Sequence, residues 1–490
     1  MTISSEKRTP LWPGVAAAAW CGLVYFAFGS DWTFRPRPSL YVHHTLAAQA
    51  WLQGRLHVTA AEIERQFMRN TLRRDGRSFD PVRTDAELHA AYDDSKAEYF
   101  RSLGVPERDI ETEVAGSIRR AYLDWIHIDD RYYAYWPPVP ALMIVPLVAL
   151  FGPGVSDVVV ANFLGAVSVF WVYVMLAALR RHWPAFTRRA CLGLTLFYGL
   201  GTCHMYQACA GQVWLITQLS ATFFLIIAIA LGFRSFGVRT GDDGKPEVFR
   251  PGSFVAAAVA LALGFLSRNT IILAAPFFAV LLWVAVRNSS RRFARFMTLG
   301  CMFSGVLLCA VAVQLAFNDA RFDRPLDFGQ EHLADEGGNA LFSEEFKTFG
   351  RFSIHFIPRN LWYYFVNPGI REYPAIESAQ VGWTFDPMGN SLFLVSPPMV
   401  YLFLCGRQRR RWLPGAVLAG AMPGTAALML FHGTGWYQFG QRYLLDVMAF
   451  LLLLVAFGMR GRLSRVSIAL VLLSLATNAW GTYRFIVEQG

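Results

Sequence analysis

Polar and apolar residues follow one another in long blocks along this chain. Apolar runs occupy 11–29, 157–179, 190–206, 213–233, 254–266, 271–286, 296–317, 391–406, 412–431, 444–458 and 466–480. Many of them approach or exceed the roughly 18 residues that read as a membrane-spanning helix. Together they predict an all-α polytopic membrane protein with about eleven transmembrane helices. Two polar segments, 31–131 and 318–390, interrupt this body and predict two large extracytoplasmic loops bearing surface helices. Within the first, Leu46, Ala47, Ala50, Trp51 and Leu56 recur at helical spacing, so 43–56 is expected to lie on the bilayer as an interfacial helix.

The run 138–151 is a special case. At about 1.5 Å per residue it reaches only about 21 Å, short of a roughly 30 Å hydrocarbon core, so it is expected to be a re-entrant or surface-lying helix. It follows Tyr132, Tyr133, Tyr135 and Trp136, which resemble a headgroup-level aromatic belt, and Pro137, Pro138 and Pro140, which stiffen the entry. The chain then divides into a first transmembrane helix (1–30), an extracytoplasmic loop with the Pro-rich segment (31–156), a transmembrane bundle (157–317), a second extracytoplasmic loop (318–390) and C-terminal transmembrane helices (391–490).

Charge orients this plan. Of 490 residues 54% are hydrophobic, 15% aromatic and only 16% charged, and the formal net charge is +10. The positive charge gathers in short loops, at Arg180, Arg181, Arg188 and Arg189, at Arg287, Arg291, Arg292 and Arg295, at Arg407, Arg409, Arg410 and Arg411, and at Arg460, Arg462 and Arg465. The positive-inside rule makes these loops cytoplasmic, which leaves no reason to expect a nucleic-acid partner and puts the N-terminus inside an inner (plasma) membrane. The seven cysteines sit mostly in apolar runs; Cys203 and Cys209 either pair or stay free, and no spacing suggests a metal site or a cofactor.

Chemistry is expected on the outer face, where three clusters meet. In Asp124 to Arg131 carboxylates and His127 precede the aromatic segment, and a carboxylate that loses solvation at a bilayer surface gains basicity. Arg442, Tyr443 and Asp446 follow a glycine- and aromatic-rich turn, so that Arg442 either holds a phosphate or pairs with Asp446 four residues on. Arg268 lies between two apolar runs, as an interface anchor or as a second cation for a lipid phosphate. Asp31, at the end of the first helix, is a second candidate base, and His43, Tyr133 and Trp136 join the candidate substrate-binding side chains.

The segment Tyr-Tyr-Ala-Tyr-Trp-Pro-Pro-Val-Pro-Ala-Leu at 132–142, the Leu-Phe-Gly at 150–152, and the stretches 50–56, 265–269 and 439–446 resemble the GT-C membrane glycosyltransferases. The likeness is greatest to the branch of bacterial protein O-mannosyltransferases and aminoarabinose transferases. It implies transfer of a sugar from a polyprenyl-phosphate donor to a glycan, lipid or protein acceptor at the outer face. Two positions depart from that pattern: Ser39 stands where the resemblance implies an acidic residue, and Trp136 where it implies a lysine. The base then falls to Asp124 or Asp31, and the phosphate to Arg442 or Arg268. A polysaccharide polymerase or ligase shares this outer-face logic. A transporter or flippase for lipid-linked glycans would need mid-membrane polar residues and an internal repeat, and the sequence offers few of the first and none of the second.

Overall fold

A computed structural model describes residues 9–76, 84–235, 249–329, 332–333, 340–372, 383–407 and 412–488. The architecture is that of an all-α membrane protein. Helices dominate because a chain in hydrocarbon must satisfy its own backbone donors and acceptors. Among the described residues seven helices are long and apolar enough to cross a membrane: Trp12–Gly29, Asp157–His182, Val213–Arg234, Asn269–Val286, Arg292–Phe322, Trp412–Leu430 and Arg465–Ile486.

The other four apolar runs are short or broken. Pro251–Phe265 and Leu445–Gly458 have 15 and 14 residues. The run expected at 190–206 splits into Arg188–Leu200 and His204–Ala210. At 391–406 a four-residue helix, Leu392–Val395, gives way to a 3₁₀ segment, Pro397–Arg407. A 3₁₀ helix rises about 2.0 Å per residue, so this segment covers more depth than its length suggests. Of these pieces Leu445–Gly458 lies inside the bundle, whereas Val259, Leu394 and Phe403 leave Pro251–Phe265, Leu392–Val395 and Pro397–Arg407 partly exposed. In Leu445–Gly458 all residues but Leu451 are buried.

Hydrogen bonds tie the helix ends into two faces. At the arginine-rich end Arg180 donates to Thr9 Oγ1 (2.8 Å), Tyr173 to the Pro10 carbonyl (3.0 Å), and the Thr187 amide to Gly461 (2.9 Å). The loop segments expected at residues 1–8, 236–248 and 408–411 lie outside the described residues. At the opposite end the Val213 amide donates to Tyr41 (3.2 Å) and the Val139 amide to Leu266 (3.1 Å). The polar segment 31–131 therefore joins the same end as the starts of Val213–Arg234 and Val139–Phe151.

That segment folds into a small helical layer. Ala60–Arg74 and Asp85–Ser102 both begin with a capping box, Thr59 with Glu62 and Thr84 with Glu87, which satisfies two otherwise orphaned donors at each start. Glu107–Ser117 completes the layer over a core of Ile63, Phe67, Leu72, Leu88, Tyr92 and Trp125. A two-stranded hairpin follows, Trp125–Ile128 with Arg131–Ala134, turned by Asp129 and Asp130 at φ +47° and +60°. Two consecutive positive φ values match the right-handed twist of a tight hairpin, and aspartate tolerates them better than most side chains.

Two expectations about this region change. The helix His43–Leu52 does not lie with one face on lipid: seven of its ten residues are buried, and it packs against Val139–Phe151. Tyr133 and Trp136 are 6% and 7% exposed, so they are core residues of the hairpin and its exit, not a belt. The long helix Arg292–Phe322 accounts for part of this burial. Its 31 residues extend about 46 Å, beyond a roughly 30 Å core, and its far end meets the hairpin. There Arg321 donates to the Ala134 carbonyl (2.7 Å), and Phe322 packs edge-on against Tyr133.

Candidate functional site

Asp124 is held at the junction between the helical layer and the bundle. The residue before it is fixed by His43, whose Nε2 lies 2.9 Å from the Leu123 carbonyl and must carry the proton there. The residue after it, Trp125, is buried and stacked on the His43 ring at 4.3 Å. Burial drives the His43 pKa down to about 3, so this imidazole stays neutral and acts as a fixed donor. Pinned on both sides, Asp124 adopts φ +59°, a left-handed conformation that L-residues other than glycine seldom take.

The Asp124 carboxylate accepts a hydrogen bond of 2.5 Å from Trp214 Nε1. Burial pushes its pKa above the ordinary value, and the Trp214 donor and the Arg442 charge oppose that rise. Trp214 is the second residue of Val213–Arg234, and that helix is anchored at its start by Tyr41, whose ring packs on Trp214 at 4.9 Å.

Arg442 comes to the same place from the other half of the chain. The segment 433–444 threads through the site with its backbone fixed by buried amides: Gln438 Oε1 accepts from the Arg442 amide (3.1 Å), and Gln438 and Gln441 both donate to the Met388 carbonyl. The Arg442 guanidinium lies 5.9 Å from the Trp214 ring and 5.2 Å from the Tyr443 ring. Among the described residues it has no ion-pair partner, and its buried Nε has no hydrogen-bond partner.

Arg268 sits over the same Tyr443 ring, at 4.9 Å, but it is neutralised. Its Nε donates to Asp446 Oδ2 at 2.6 Å, and Thr270 Oγ1 donates to the same oxygen at 2.7 Å. Asp446 thus pairs with Arg268 across the bundle and not with Arg442 on its own segment. Arg442–Leu444 forms a 3₁₀ turn and the α-helix begins only at Leu445, so the four-residue spacing does not stack Arg442 over Asp446.

The structure therefore brings together Asp124, Arg442, Tyr443 and Arg268, with His43 and Trp136 packed behind them. Trp136 touches His43, His44 and Trp214 edge-on. Tyr133 turns away toward Phe322 and His57. His127 is exposed on the hairpin and stacks on Tyr132 at 4.5 Å. Asp31 lies at the exposed end of the first helix in an ion pair with Arg37 (3.1 Å).

Three further side chains were not singled out in the sequence as candidate site residues. The first is Trp214, which the sequence shows only as part of the apolar run 213–233. The second is Tyr135, part of the aromatic segment, which is half-buried beside the site and whose hydroxyl pKa is raised by desolvation. The third is Asp157, whose carboxylate accepts from the Ser39 amide (2.8 Å) and from the Ser39 hydroxyl. Asn70 donates to the Ser39 carbonyl at 2.8 Å. The position where an acidic residue was expected in the first loop is thus occupied by a serine that holds a carboxylate delivered from another helix. All seven cysteines are free, Cys203 and Cys209 included.

No protein-family model and no curated protein matches the sequence. Among solved structures, the chain is similar to the oligosaccharyltransferase of Archaeoglobus fulgidus. Against its apo form the TM-score is 0.40 at 14% identity, over 97% of this chain and 56% of that one. Against its complex with an inhibitory peptide and a dolichol-phosphate the TM-score is 0.44 at 13% identity, over 97% of this chain and 55% of that one. The chain spans about half the length of these structures, 56% and 55%.

Proposed function

We propose that this chain is an integral membrane glycosyltransferase that moves a sugar from a polyprenyl-phosphate donor to a hydroxyl of a glycan, lipid or protein acceptor at the outer membrane face. The observation that carries the reading is a desolvated carboxylate, Asp124, on the Nε1 edge of Trp214 and a guanidinium with no ion pair among the described residues, Arg442, over the ring of the same Trp214. Sugar transfer from a lipid phosphate needs these two groups at headgroup level. The acceptor oxygen attacks the anomeric carbon, and the bond from that carbon to the phosphate oxygen breaks. Asp124 takes the acceptor's proton, and the released polyprenyl phosphate keeps the bonding electrons as an anion facing Arg442. Arg442 serves this role better than Arg268, since Asp446 already neutralises Arg268.

The test is turnover of a purified polyprenyl-phosphate sugar by the wild-type chain and by Asp124→Asn, with donor binding measured in parallel. Asparagine keeps the shape but cannot take a proton, so binding should persist while turnover falls about 10²- to 10⁴-fold. Normal turnover by this variant, with normal turnover by Asp31→Asn beside it, would remove the reading.

A further inference from the structure

A second site lies at the opposite end of the bundle, on the outer surface of the first helix. Trp12–Gly29 and Arg188–Leu200 flank an open cavity of about 430 Å³ at the arginine-rich end. Small side chains create it: Ala16 and Ala17 leave the gap, and Gly14 lets the buried Tyr173 ring close the floor, since a methyl there would lie 2.6 Å from that ring. The walls are apolar, with Trp20 on one side and Leu196 on the other. From Trp12 to Trp20 the first helix rises about 12 Å, enough to receive part of a lipid chain. Both tryptophans are exposed, at 70% and 58%.

The mouth is cationic. Arg188 and Arg189 line it, both are exposed, and neither makes an ion pair among the described residues. An apolar trough parallel to a membrane-spanning helix, ending in two adjacent unpaired guanidiniums, complements a molecule with an acyl chain and an anionic head. We propose that this groove is a binding site for one anionic phospholipid, its acyl chain along Trp20 and Leu196 and its phosphate on Arg188 and Arg189. The site is separate from the proposed transfer chemistry, which lies at the other end of the helices.

The test is native mass spectrometry of the full-length chain in mild detergent with equimolar phosphatidylglycerol and phosphatidylcholine. The wild type should retain one phosphatidylglycerol, with about a thirtyfold preference over phosphatidylcholine, the effect of two guanidiniums near the surface. Arg188→Gln with Arg189→Gln should abolish the preference. Ala16→Trp, which fills the exposed trough without touching the arginines, should abolish retention of both lipids. Equal retention of the two lipids by the wild type overturns the proposal and needs no variant. So does an undiminished preference in either variant.

Discussion

Arg268 and Arg442 stand over one tyrosine ring, at 4.9 and 5.2 Å, yet they do different work. Arg268 has a carboxylate at 2.6 Å and a threonine supporting that carboxylate. Arg442 has aromatic faces, a fixed backbone and, among the described residues, no carboxylate within ion-pair distance. A buried cation with a partner belongs to the scaffold, because its desolvation is already compensated. One without a partner keeps its capacity to bind an anion, and both guanidiniums lie within cation–π distance of Tyr443. The difference separates what maintains the site from what meets a ligand.

The largest effect expected from this division concerns Asp124, which faces the unpaired arginine. As a base it acts only when deprotonated, so turnover should fall as pH falls through a pKa lying above the ordinary 3.8, where a solvated aspartate would still be active. Stability runs the other way. The folded chain binds this proton more tightly than the unfolded chain, so the stabilising contribution is complete below about 3.8 and is lost as pH rises through the raised folded value. A pH profile of turnover beside one of thermal unfolding checks both signs. In Asp124→Asn the acid limb of activity should disappear together with the 10²- to 10⁴-fold of rate.

Next comes the paired arginine. Asp446→Ala leaves Arg268 partly buried and uncompensated, which should destabilise the fold by about 3–5 kcal/mol. Combining it with Arg268→Gln removes the charge as well and should recover much of that loss, a coupling that thermal or detergent unfolding can measure. Additive losses in the double variant would mean that the pair does not act as one unit.

Arg442→Lys should show the converse pattern. A lysine keeps the charge but loses the planar fork, and with it roughly one charge-assisted hydrogen bond, about 1.5–3 kcal/mol of donor binding. Stability should stay close to wild type, since no ion pair is broken. Loss of stability with unchanged donor affinity would exchange the roles of the two arginines.

That Asp124, Arg268 and Arg442 share one end of the bundle was legible in the sequence because hydropathy blocks fix which residues sit at helix ends. The pairing between them was not. Reading Arg442 against Asp446 assumes a continuous α-helix, whereas the chain turns through 3₁₀ geometry at Arg442–Leu444 and the true partner is 178 residues away. Hydropathy is equally blind to the interruptions after Leu200 and Val395, since a broken helix and a straight one present the same apolar run. The Ser39 contact with Asp157 was hidden for the same reason. It joins a loop to the start of a helix 118 residues later, and no local spacing records it.

The smallest effect should come from Asp31. Its ion pair with Arg37 is at the surface, with the carboxylate side chain 43% exposed, and such pairs contribute about 0–1 kcal/mol. Its backbone sits at φ +51° and that of Trp32 at φ +59°, so the chain leaves the first helix through two left-handed residues. Asparagine accepts that conformation as readily as aspartate, which makes Asp31→Asn a substitution that removes the charge without straining the turn. Turnover, donor affinity and unfolding temperature should all remain near wild type. Should Asp31→Asn bind donor yet fail to turn it over while Asp124→Asn works normally, the proton acceptor is Asp31. In that case Asp124 is left as a buried anchor for Trp214, and sugar transfer itself survives as the reading.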